Sequence, residues 1–332
     1  MPKPARTSSH AVTPATRPAT RRTRRALRWA PLCSGLLACA GAQPPEAKQP
    51  RAPLPADVVA KSALPLYALR TADAKPEKLT EPALWDQLAK ARVVCFGEQH
   101  DLPSHHFAQR RALEEVAGRA SSEHGVFAVG FEMFQRPYQA ALSSFVGGTL
   151  PEAQFLTESE YKERWGFDFA LYRPLLLAAR EFNLEALALN APKELTRKIG
   201  RSGLASLDAG EKQQLPELDL DNLDHKSYFD AAMAEHPMPP GSPKLEDMYA
   251  AQVVWDETMA DTTSNWLSHA GDNARFMIFA GSGHCHKAAI PARITRRTQI
   301  PVLSLSAVLA SQLPTFQDRN RYDWLMVLQD VK

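Results

Sequence analysis

The sequence predicts an α/β fold: a mixed, largely parallel central sheet flanked by helices, with a smaller helical lobe. Three observations predict it. Short apolar runs of strand length, among them Val93–Phe96 and Phe276–Ala280, close on glycine or an acid. Stretches of helical periodicity alternate with these runs, which is the pattern of a sheet covered on both faces. Two of the runs end alike, in Gly97-x-x-His100 and Gly281-x-x-His284, 184 positions apart. Open α/β sheets carry ligands at the carboxyl ends of their strands, so both turns are expected to open on one cleft.

An export signal is expected at the start of the chain. Residues 1–38 hold eight Lys or Arg and no acid, and Leu27–Ala40 is mostly apolar and small. That order is a signal peptide's, and the apolar run falls short of the roughly 20 residues that span a bilayer. Leu36-Leu-Ala-Cys39 resembles a bacterial lipobox, which makes Cys39 the expected site of lipidation, palmitate included. The plainer alternative is a basic tail with a chance cysteine. Pro44, Pro45, Pro50, Pro53 and Pro55 make residues 39–60 a stiff tether rather than a packed element. Without its first 38 residues the chain has 31 basic and 37 acidic residues, a net charge of −6. No basic surface favours nucleic acid, and none is expected as a partner.

The domain proper is expected over residues 61–332, with helical insertions at about 136–182 and 192–270. Pro103 and Ser104 open a helix after the first Gly-x-x-His turn. A second strand covers Val126–Phe131 and ends in Glu132. Phe167–Phe182 reads as a helix, Leu184–Leu189 as a third strand, and residues 200–243 as short helices and loops. A long helix follows from Lys244 to Trp266, then strands at 275–280, 300–308 and 322–328. Of four cysteines, Cys33 leaves with the signal. For Cys95 and Cys285 a disulfide and two free buried thiols both fit.

Glu98, His100, Glu132, His284 and His286 form the main candidate site, at the ends of three strands. Asp101, His105 and His106 extend its first cluster. Tyr249, Gln252 and Asp256, spaced i, i+3 and i+7, share one side of the long helix and offer a second face. Histidines and carboxylates together can hold a divalent metal, here through His100, Glu132 and His284. They can instead act as general base and acid, or hold haem. Tyr138, Tyr161, Tyr172, Tyr228 and Tyr249 are candidate phenolate ligands in the last case. P-loop, GxSxG, HExxH and CxxCH signatures are absent.

The segments VVCFGEQHDLPSHHFAQ, FAVGFEMFQRPYQ, YRPLLLAAREFNLEALALNAP, YAAQVVWDETMA and FMIFAGSGHCHKAAIPARI resemble the ChaN-like family of haem-binding, iron-regulated lipoproteins. The resemblance covers roughly residues 80–330 and extends to the Tiki, TraB and erythromycin esterase-like superfamily. It implies that Glu98, His100, Glu132 and His284 line a shared cleft. It also implies haem bound by a homodimer, a tyrosine on the iron, a lipid-anchored place in the cell envelope, and an outer-membrane haem receptor as partner. Cys285-His286 departs from the aliphatic and small residues expected there. Two other functions stay open: a metal-dependent or histidine-based hydrolase using His100, Glu132 and His284, and a non-catalytic structural lipoprotein. A broad apolar surface lined by residues such as Phe134, Trp255 and Met259 would favour haem. A small polar pocket would favour hydrolysis.

Overall fold

The structure, a computed structural model, describes residues 65–70, 77–120, 126–234 and 238–330. The expected signal peptide, Cys39 and tether lie outside the described residues. Eight strands form one sheet: β1 (Pro65–Arg70), β2 (Glu77–Leu79), β3 (Val93–Glu98), β4 (Phe127–Gln135), β5 (Glu185–Asn190), β6 (Arg275–Gly281), β7 (Val302–Leu309) and β8 (Trp324–Leu328). Their spatial order is β2-β1-β8-β7-β3-β6-β4-β5. The strands from β8 to β5 pair in parallel, while β1 pairs antiparallel with β2 and β8. The β1–β2 hairpin adds an antiparallel margin that the apolar runs did not announce: its three-residue β2 is mostly exposed.

All six residues of β3 are buried, as a strand covered on both faces requires. Alternation sends Val94 and Phe96 into the larger core. There they meet α1 (Glu81–Lys90), α2 (Pro103–Ala120), α3 (Gln139–Val146), α4 (Glu152–Glu158) and α6 (Phe169–Glu181). A four-residue α5 (Tyr161–Arg164) lies between the last two. Val93 and Cys95 point the other way, toward α10 (Leu245–Ala270) and α12 (Ile290–Thr298). Between β5 and α10 run α7 (Lys193–Ser202), α8 (Ala209–Gln213) and α9 (Leu223–Ala234), the smaller helical region. Fully buried side chains such as Phe96, Phe279 and Leu113 each contribute roughly 1.5–3 kcal/mol.

Two local features matter below. β4 runs past its expected end at Phe131, and its register against β5 shifts between Phe131 and Gln135. Glu132 falls in that irregular stretch. At the sheet's other margin, the Gln139 side chain pairs with the outer edge of β5. Its amide nitrogen donates to Ala186 O at 2.8 Å, and its oxygen accepts from Ala188 N at 2.7 Å.

Candidate functional site at three strand ends

β6 lies between β3 and β4, and its last residue, Gly281, pairs with Glu98. Both Gly-x-x-His turns therefore leave the sheet from adjacent strands. The chain from β3 enters α2 on one face. The chain from β6 passes through α11 (Ser282–Cys285) to α12 on the other. Ligand crevices form where connections diverge in this way. The turns are packed closely enough to demand glycine. A Cβ on Gly97 would stand 2.8 Å from Ser282 Cα, and one on Gly281 would stand 2.9 Å from His100 Cε1.

The first turn presents His100. Its Nδ1 is 2.6 Å from Glu98 Oε1, which also accepts from Tyr172 OH at 3.4 Å. His106 Nε2 donates to the His100 carbonyl at 3.0 Å and lies 3.3 Å from Glu98 Oε2. Glu98 Oε2 itself accepts no hydrogen bond, and His106 Nδ1, Tyr161 OH and Trp165 Nε1 are likewise buried without one. The His100 side chain is 28% exposed. Trp165 and Phe167 pack on it at ring distances of 4.8 and 4.9 Å, and Phe167 is itself exposed. Burial opposes a charge on His100, but the Glu98 hydrogen bond and the field of Glu132 raise its pKa above the usual histidine value.

The second turn is closed and fully partnered. Glu132 Oε2 accepts from Gly281 N at 2.6 Å, and Oε1 lies 3.3 Å from His284 Nε2. His284 Nδ1 is 2.6 Å from Asp256 Oδ1, and Asp256 Oδ2 is 2.8 Å from His225 Nε2. His225 Nδ1 is 3.2 Å from both Tyr249 OH and an Arg293 nitrogen. Arginine can only donate, so that Nδ1 accepts and His225 carries its hydrogen on Nε2, toward Asp256. Burial disfavours a charged His284, yet the carboxylates on its two nitrogens outweigh burial and raise its pKa well above the usual value. Burial likewise works against the charges of Asp256 and Glu132, and His284 overcomes it in both, holding their pKa values low.

Of the residues singled out from sequence, Glu98, His100, Glu132, His284, Gln252 and Asp256 come together; Gln252 Nε2 lies 3.2 Å from His284 Nδ1. Tyr249 stands one layer back, on His225. His286 is buried against Tyr228 at a ring distance of 4.2 Å and does not reach the cleft. His105 is buried too, its Nδ1 accepting from Gln99 N at 3.0 Å, so it braces the turn rather than facing a ligand. Phe134 and Met259 are not lining residues; both are core, 2% and 0% exposed, while Trp255 stays half-buried beside His284. His225, Trp165 and Phe167 escaped the sequence reading. His225 sits in the irregular insertion. The one signal for the aromatic pair was the Trp-Gly-Phe run before α6.

Among the described residues, no group of three His, Cys, Asp or Glu is placed to hold a metal ion. The donors of His100, Glu132 and His284 are turned on one another and on Glu98, Asp256 and Gly281. Haem fits the exposed side better. His100 there is flanked by the Trp165 and Phe167 rings. A groove of ≈ 520 Å³ lies elsewhere, between β5 and α10. Its Arg136 is spent on Thr258 O, Asp261 and Thr262, and no cleft residue lines it.

Residues 84–294 match the family described as haem-binding uptake, Tiki superfamily, ChaN. Among solved structures, the chain is similar to ChaN of Campylobacter jejuni, reported with cofacial haem binding. The two are 20% identical over 80% of this chain and 97% of that one, with a TM-score of 0.63. Looser likenesses include an erythromycin esterase, EreC, in its open conformation (13% identity, 73% and 76% covered, TM-score 0.42). The type III effector HopBA1 is another (12% identity, 74% and 92% covered, TM-score 0.38). No curated protein sequence matches the chain.

Proposed function

We infer, from the premise that this chain belongs to the ChaN family of haem-binding uptake proteins in the Tiki superfamily, that it binds haem and serves iron handling at the cell envelope. The observation that carries the reading is the partly exposed His100 packed against Trp165 and Phe167 at the strand ends of the matched region. Bound haem supplies an iron centre and a flat apolar ring. On the protein's side, Trp165 and Phe167 offer it aromatic faces. His100 offers a nitrogen or a propionate donor. Glu98 orients His100 through its 2.6 Å contact. Two copies facing each other are the expected assembly, and an outer-membrane receptor is the expected supplier of haem.

Lipidation at Cys39, with residues 39–60 as tether, would keep the protein on a membrane. Among the described residues, no helix is long and apolar enough to cross one. The test is titration of the purified protein with ferric haem, followed by visible spectra, with mass analysis of Cys39. Saturable binding that His100→Ala weakens tenfold or more is expected. A protein with no saturable haem band would end this reading.

One observation favours a second reading, hydrolysis without a metal. The buried run Glu132–His284–Asp256–His225 is built to hold and move a proton. His284 would act there as general acid or base beside His100 and Glu132. Turnover of ester or peptide substrates that His284→Gln abolishes would support it.

A further inference from the structure

We propose that the Cys95–Cys285 disulfide positions His284, locking the second histidine turn to the first so that the closed turn backs the open one in a fixed geometry. The proposal takes only its choice of ligand from the haem reading.

His284 rides on α11, a single turn of four residues. An isolated turn has no stability of its own, because nucleating a helix costs more than one hydrogen bond returns. Yet His284 must meet Glu132 on β4 and Asp256 on α10 at the same time. Something outside α11 must hold it. Hydrogen bonds take its first residue: Ser282 Oγ donates to Glu98 O at 3.2 Å and lies 3.0 Å from Ser306 Oγ, and Tyr322 OH donates to Ser282 O at 3.0 Å. At its last residue, Ser304 Oγ donates to Cys285 O at 2.5 Å.

The remaining tie is covalent. Cys285, next to His284, is bonded to Cys95, three residues before Glu98, with Cα atoms 5.3 Å apart across 190 positions of chain. This covalent strut joins the strand that ends at Glu98, two residues before His100, to the helix that carries His284. Both cysteines are 0% exposed, so the bond is shielded from thiol exchange and acts as a lock rather than a switch. An apolar pair could fill the same space, but it would leave the pitch of α11 to hydrogen bonds alone. The tight seat of Gly97, whose Cβ would stand 3.2 Å from Cys285 Cβ, shows how little play the junction has.

The test compares the purified wild-type protein with C95A/C285A, following the histidine Cε1–H resonances by NMR against pH and the affinity for ferric haem. The expected result is a folded variant whose His284 pKa drops toward the usual histidine value and whose haem Kd rises about tenfold. A purely space-filling role would leave the His284 titration where it was. Should the alanine pair not fold, C95V/C285A restores most of the lost volume and gives the same comparison. A folded variant with an unchanged His284 titration would overturn the lock. Absence of haem binding to the wild type would strike the haem reading alone, since the His284 titration needs no haem.

Discussion

The two Gly-x-x-His turns share a pattern and a strand end but not an environment. His100 is partly open, braced by one carboxylate, and roofed by aromatic rings, with orphaned polar atoms beneath it. His284 is 13% exposed, clamped between two carboxylates, and backed by a second histidine. The difference teaches a division of labour. One turn is left partly open, and the other is an electrostatic keystone that ties the end of β6 to β4 and α10.

Asp256→Ala should break the keystone most severely. It strips a buried carboxylate from both His284 and His225, and removing one partner of a buried ion pair costs roughly 3–5 kcal/mol. Denaturant melts would read that loss, and a change below about 1 kcal/mol would dissolve the proposed asymmetry. Next come the two glycines. Gly97→Ala drives a Cβ into Ser282 backbone and should destabilise by about 1–3 kcal/mol. Gly281→Ala meets the His100 ring, which can swing outward, so stability should suffer less than haem affinity does.

pH sharpens the contrast further. Burial lowers the pKa of His105 to about 4 and that of His286 to about 3. The unfolded chain binds protons on both rings from about pH 6.5 downward, whereas the folded one refuses them until about pH 4 and 3. Stability present above pH 6.5 should therefore fall, by on the order of a few kcal/mol, as pH drops through that window. His286→Phe should flatten the slope. His284 has the opposite sign: its raised pKa gives stability that is complete below pH 6.5 and lost as pH climbs through its folded value. The smallest effect belongs to Phe167→Ala. An exposed ring contributes within about 0.5 kcal/mol to stability, yet haem affinity should drop several-fold, as spectral titration can report.

The meeting of the two turns was legible in the chain because a repeated strand-Gly-x-x-His pattern constrains both backbone and chemistry. The shared side of Tyr249, Gln252 and Asp256 was legible from helical spacing. His225 was not, since its approach to Asp256 depends on how an irregular insertion folds back over α10. Glu132 was legible as a strand-end acid, but the run of β4 on to Gln135 and its register shift against β5 were not. Phe134 and Met259 misled because an aromatic or a methionine fills a core as readily as it lines a pocket.

The clasp of Gln139 on β5 has a consequence at a crowded surface. Where copies meet at high local density, a bare outer strand would invite them to zip into ribbons. With its amide already seated on Ala186 and Ala188, this margin offers a neighbour fewer free backbone groups to grip.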